Sequence, residues 1–184
     1  MRLRYIQRQT VFRRANRTRG EMTKKIDPIR PTDDDAREMT RLLIQEASFG
    51  ALGVIEPETG MPLVSRVAIG TDGEGRVISL ASDLSFHSKA LAVDPRASVM
   101  VGEPGKGDAL AHPRVTLIGR MDKIDNASPE RTELREIWLK QHPKAQLYVD
   151  FADFHFYRLK LERAHLNGGF GKAYVLTPED LGLA

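Results

Sequence analysis

Residues 77–102 read VISLASDLSFHSKALAVDPRASVMVG, and their reading decides the fold. An apolar strand, Val77 to Ser82, stops at Asp83, and a short helical stretch runs from Phe86 to Val93. Asp94-Pro95-Arg96 ends that helix, and a second apolar strand, Ala97 to Gly102, follows at once. Upstream, GALGVI (Gly50 to Ile55) and the alternating PLVSRVAIG (Pro62 to Gly70) read as two more strands. Pro57-Glu58-Thr59-Gly60 and Asp72-Gly73-Glu74-Gly75 supply the turns between them. Three short strands joined by tight turns make an antiparallel meander and leave no room for βαβ crossovers.

Further out, Thr32 followed by Asp33, Asp34 and Asp35 predicts a capped helix start with acids on the helix dipole. Ala36, Met39, Leu42, Leu43 and Ala47 recur at helical spacing and predict an amphipathic helix to about Ser48. Residues 103–113 (EPGKGDALAHP) form a Gly/Pro-broken loop, and Arg114 to Ile124 reads as a strand. Ser128-Pro129-Glu130 opens a helix that ends at His142-Pro143, with His142 read as a solvated terminus. A shorter helix is expected over 144–151. A long strand, Phe154 to Leu166, is broken by Gly168-Gly169-Phe170-Gly171, and Ala173 to Leu176 closes the sheet before a capped turn at Thr177-Pro178-Glu179. The sum is a mostly β protein with peripheral helices, a six- to seven-stranded antiparallel split β-barrel.

The 184 residues are 41% hydrophobic, enough for one real core, and contain no cysteine. That excludes disulfide scaffolds, thiolate nucleophiles, Fe–S clusters and cysteine-bound zinc. No apolar window is long enough to span a membrane as a helix, and a reducing cytoplasm is the expected setting. Residues 1–21 hold seven arginines against one acid, Glu21, in a chain whose overall charge is +3, so the remainder is net acidic. Three readings of this basic tail stand: nucleic-acid binding, a transit-like peptide, or disordered sequence ahead of a second start at Met22. Residues 1–30 are read as a disordered appendage and 31–184 as the domain; nucleic acid is not the expected partner.

No nucleophile elbow, Walker loop, zincin or Rossmann motif is present, and no two of the five histidines share i,i+3 or i,i+4 spacing, so no metal site is expected. The segment Ser82–Lys89 (SDLSFHSK) is different. It puts hydroxyls, an imidazole and an ammonium at a strand-to-helix junction whose amides already favour an anion. Arg66, in the preceding strand, can add a guanidinium. Such an assembly suits a phosphate monoester.

The ordered set PLVSRVAIG, VISLASDLSFHSKALAVDPRASVMVG, GDALAHPRVTLIGRM and HLNGGFGKA resembles the pyridoxamine 5′-phosphate oxidase-like, FMN-binding split-barrel superfamily. Within it, the resemblance is to the haem-utilisation, haem-oxygenase-like branch. It covers about residues 33–176. The resemblance implies an FMN-binding flavoprotein and oxidoreductase acting on a small molecule, built as a homodimer with flavin between subunits. Carried over by position, the cofactor-binding residues are Arg66, Val67, Ser82, His87, Ser88 and Lys89, with Arg114 approaching the ring. The alternative is a non-catalytic flavin- or haem-binding module, or a haem-degrading protein with haem as ligand or substrate and His155 or His165 at the iron. The ending KAYVLTPEDLGLA lacks the Arg-x-His-x-Arg element of true pyridoxamine phosphate oxidases, so the vitamin B6 reaction is not expected.

Overall fold

The computed structural model describes residues 29–183, and of the tail expected to be disordered over 1–30, residues 1–28 lie outside them. The chain runs α1 (Asp34–Gln45), β1 (Phe49–Ile55), β2 (Pro62–Ala68), β3 (Gly70–Thr71), β4 (Val77–Ser82), α2 (Phe86–Val93) and β5 (Arg96–Val101). It continues with β6 (Arg114–Lys123), α3 (Pro129–Gln141), a 3-10 turn (Pro143–Leu147), β7 (Phe154–Asn167), β8 (Ala173–Leu176) and α4 (Pro178–Leu181). All eight strands join one sheet in the order β2-β1-β5-β6-β7-β4-β3, with β8 on β7, and every ladder is antiparallel.

The sheet has eight strands where six or seven were expected, because the run 62–70 breaks at Ile69. Its first part pairs with β1 and its last two residues pair with β4. The C-terminus of α3 holds this break. The His142 ring nitrogen donates to the Ile69 carbonyl at 2.9 Å, and the Gln141 amide accepts from Thr71 N and donates to Thr71 O. Gly70 is needed here, since a Cβ would sit 2.5 Å from the Gln141 side chain. His142 is therefore no solvated terminus; it is half-buried and lies against Trp138, ring to ring at 4.1 Å.

The consequence is topological. β2 and β3 are consecutive in the chain yet stand at opposite ends of the sheet, so the sheet must curl until its ends approach. No ladder joins β2 to β4, and the barrel remains split there. A β-bulge helps the curl: Ile118 pairs with Arg163 but Gly119 pairs with Leu161. Gly119 allows it, since a Cβ there would fall 2.0 Å from the Lys160 carbonyl.

Two cores result. Inside the barrel, alternating strand residues such as Leu52, Val99, Val115, Leu117, Met121 and Leu159 pack together, and Ala36 and Ile44 of α1 close one side. On the other face of β4 and β7, Ile78, Leu80 and Phe156 pack under Leu134 and Trp138 of α3. The α1 start shifts by one residue. Asp33, not Thr32, caps the helix by accepting from Ala36 N, while the Thr32 hydroxyl donates to the Val175 carbonyl. Leu42, expected inside, is exposed, and Thr40 takes the buried position instead.

Candidate functional site

The split creates a cleft of about 290 Å³. Arg66, Val67 and Ala68 of β2 line one wall and Leu80, Ala81 and Ser82 of β4 the other. Ser85, His87, Tyr148 and Phe154 complete it. β2 has a ladder only with β1, and β4 beyond Ile78 only with β7. Alternate peptide groups along each wall, those of Arg66 and Leu80 among them, thus face the split without a ladder bond and can meet a ligand edge. The Ser79 hydroxyl takes the Ala68 carbonyl at 2.8 Å and bridges the walls at their base.

Each predicted residue has a definite place. Arg66 is exposed at the cleft, makes no ion pair among the described residues, and has its guanidinium 5.5 Å from the centre of the Phe49 ring. A strand guanidinium without an acid is a ready anion contact. His87 lines the cleft and is half-buried, and burial lowers its pKa from the ordinary 6.5, so it offers a neutral imidazole rather than a charge. Ser82 lines the cleft, but its hydroxyl donates to Asp153 at 2.5 Å and accepts from Leu84 N. Ser88 is buried behind the wall, its hydroxyl 2.8 Å from that of Ser85. Ser85 itself caps α2 by accepting from Ser88 N.

Two predicted residues lie elsewhere. Lys89 points to solvent, its ammonium 6.0 Å from the centre of the Phe86 ring. Arg114 starts β6, three strands away from β2 in the sheet order, and donates to the carbonyls of Leu110 and His112. At strand spacing that is about 14 Å across the sheet, so one chain does not bring Arg114 to Arg66. Sequence reasoning missed Tyr148 and Phe154. The two aromatic rings stand 5.1 Å apart and form one side of the cleft, but they come from a segment with no motif of its own.

The histidines proposed for iron are not in the cleft. His155 Nε2 lies 3.0 Å from Asp83, which also accepts from Lys123 at 2.7 Å. The Asp83 carboxyl is held below its usual range, chiefly by the Lys123 hydrogen bond. His165 is exposed opposite Thr116 and Val175. Among the described residues no group of three or more His, Asp or Glu is placed to hold a metal ion.

An antiparallel sheet that curls into a split barrel, with a polar cleft at the unclosed edge, defines the split-barrel class of ligand-binding proteins. The chain belongs to the CREG β-barrel family, whose model matches residues 31–181. It is 31% identical over 144 residues to the "Non-canonical heme oxygenase HOZ, chloroplastic" of Arabidopsis thaliana, covering 77% of this chain and 43% of that protein. A heme binding protein from Mycobacterium smegmatis shares its structure with a TM-score of 0.73 and 32% identity, over 84% of this chain and 61% of that one. The chain thus spans about half the length of these relatives. A FAD-binding protein from Mesorhizobium loti matches with a TM-score of 0.56 at 18% identity and shows the fold alone. The resemblance to the split-barrel superfamily and its haem branch is borne out.

Proposed function

We propose that the split holds a planar redox ring with an acidic tail, FMN first, and that the protein is a flavin-dependent oxidoreductase acting on a small molecule. The observation that carries this reading is Arg66, a guanidinium with no ion-pair partner among the described residues, at the mouth of a cleft next to the capped start of α2. Arg66, His87 and the first amides of α2 would meet the phosphate. The peptide edges of Arg66 and Leu80, which face away from the β1 and β7 ladders, would meet the ring edge, with Tyr148 and Phe154 beside it. When bound, FMN supplies the hydride and electron chemistry, and the chain contributes binding, orientation and shielding from water. The cleft is too small to enclose a whole flavin. A homodimer follows, in which the Arg114 of a second copy serves the ring that one chain leaves open.

A second reading, a haem-binding or haem-degrading protein, is favoured by the names of two relatives above 30% identity. The imidazole in the cleft is then His87, neutral and able to ligate iron, and Arg66 would meet a propionate. No helix of the described residues is long and apolar enough to cross a membrane, and a cytoplasmic protein with no nucleic-acid role is the proposed setting.

Reconstitution of the purified protein with FMN and with hemin, in parallel, separates the readings. Stoichiometric FMN with bleaching of the flavin bands by NAD(P)H under anaerobic conditions supports the oxidoreductase. A Soret band with no flavin retention supports the haem reading, and failure to retain either ligand overturns both.

A further inference from the structure

Two carboxylates crowd the junction where α2 begins. Asp83 follows the cleft residue Ser82 and stands two residues before the cap Ser85. Its amide donates to the Asp153 carbonyl at 2.8 Å, and the Asp153 carboxylate accepts from the Ser82 hydroxyl at 2.5 Å. Asp153 has no ion pair among the described residues, so one negative charge already stands beside the junction. Consecutive Cα atoms are about 3.8 Å apart, which puts the Asp83 carboxylate within about 10 Å of the cap, inside the screening length at ~0.1 M salt. Left free, this second charge would repel a phosphate or carboxylate held at the start of α2.

It is not free. Lys123, the last residue of β6, donates to one Asp83 oxygen at 2.7 Å, and His155 Nε2 lies 3.0 Å from the other. The register explains the meeting. His155 lies directly opposite Ala81 and Lys123 opposite Tyr157, and both Ala81 and Tyr157 belong to the barrel core. The two side chains therefore leave the sheet on the barrel side, the side that Asp83 shares with Ala81 by alternation. His155 Nδ1 is buried without a hydrogen-bond partner, which suits the tautomer carrying its proton on Nε2, since an N–H at Nδ1 would go unbonded. In that tautomer the ring supplies a hydrogen bond and Lys123 the positive charge.

We propose that Lys123, which lines neither wall of the split, is a positioning residue for its anion: by neutralising Asp83 it keeps the start of α2 electropositive. The inference rests on the reading of the split as the site of a ring with an acidic tail, whether that tail is a phosphate or a propionate. Lys123 acts through Asp83, so removing both charges restores what removing the cation alone takes away. A purely structural role gives no such rescue.

Calorimetric titration of the full chain with FMN and riboflavin, at low and at high salt, tests it. Lys123→Met weakens FMN by about threefold to fivefold at low salt and much less at high salt, and leaves riboflavin unchanged. Lys123→Arg binds FMN as the wild type does, and so does the double variant that joins Lys123→Met to Asp83→Asn. A loss shared by both flavins, a loss that the double variant keeps, or no loss at all overturns the inference while the reading of the split stands. If the wild type takes hemin and not FMN, hemin and its dimethyl ester, which lacks the carboxylates, replace the flavins and the same pattern is expected. Retention of neither ring by the wild type overturns the reading and the inference together.

Discussion

The Ser79 hydroxyl donates to the Ala68 carbonyl across a distance of 2.8 Å, tying β4 to β2 where no ladder joins them. Ser79 is buried, so the bond is shielded from water. Above it the two strands form the walls of the cleft.

Ser79→Ala leaves the Ala68 carbonyl without its partner and costs about 1 kcal/mol of stability. It also loosens the cleft. The expected result is a small drop in the urea midpoint together with weaker retention of the ring ligand. A drop in stability with unchanged ligand affinity would show that the walls are set by the sheet alone.

Arg66→Ala removes the unpaired guanidinium at the cleft. A charge-assisted contact contributes roughly 1.5–3 kcal/mol, so FMN affinity falls by about one to two orders of magnitude. Riboflavin, which lacks the phosphate, is hardly affected. Calorimetry of both flavins against wild type and variant is the measurement, and equal losses for the two would show that Arg66 does not read the phosphate.

His87 makes stability depend on pH. Burial lowers its folded pKa below the ordinary 6.5, so between the two values the unfolded chain binds more protons than the folded one. Stability therefore falls as pH drops through 6.5 toward the folded pKa, and is fully retained above 6.5. Urea midpoints at pH 7.5 and 5.5 should differ more for wild type than for His87→Gln. Identical slopes would mean that the imidazole is as well solvated as in the open chain.

Asp72 is a buried carboxylate in the turn between β3 and β4. Its oxygens accept from the amides of Glu74 and Arg76 and from Nε of both Arg76 and Arg158. Arg158 reaches on to Glu130 at 2.6 Å, which fixes α3 against the sheet. Asp72→Asn strips the charge from under two guanidiniums and should cost about 2–3 kcal/mol. The figure is below that for a fully buried pair because Arg76 keeps a third of its side chain in water. Combining it with Arg158→Gln should cost less than the sum of the two; strict additivity would show the groups to be uncoupled.

Strand positions, turns and caps were legible because each depends on neighbours within a few residues. The α2 span, the Ser128-Pro129 start of α3 and the Thr177 capping box stand where the sequence put them. Part of the site was legible too: Arg66, Ser82 and His87 stand at strand ends that local pattern defined, Val67 came from the family resemblance, and all four meet at the split. Lys89 and Ser88 follow His87 in sequence, but the helix turns one to solvent and the other into the wall. Spacing alone does not tell a side chain at a helix start which way the sheet lies.

The amino-acid sequence by itself determined that this chain is an antiparallel β protein without thiol chemistry, with an anion-favouring junction after Ser82. Those properties rest on composition and short-range periodicity. Only the tertiary structure decided that the run 62–70 breaks at Ile69, because the groups that hold the break, His142 and Gln141, arrive from some seventy residues away. That break sends β2 and β3 to opposite ends of the sheet and opens the split. The tertiary structure also brings Tyr148 and Phe154 to the cleft and leaves Arg114 three strands distant, since lateral position in a sheet is set by long-range pairing that no local pattern encodes.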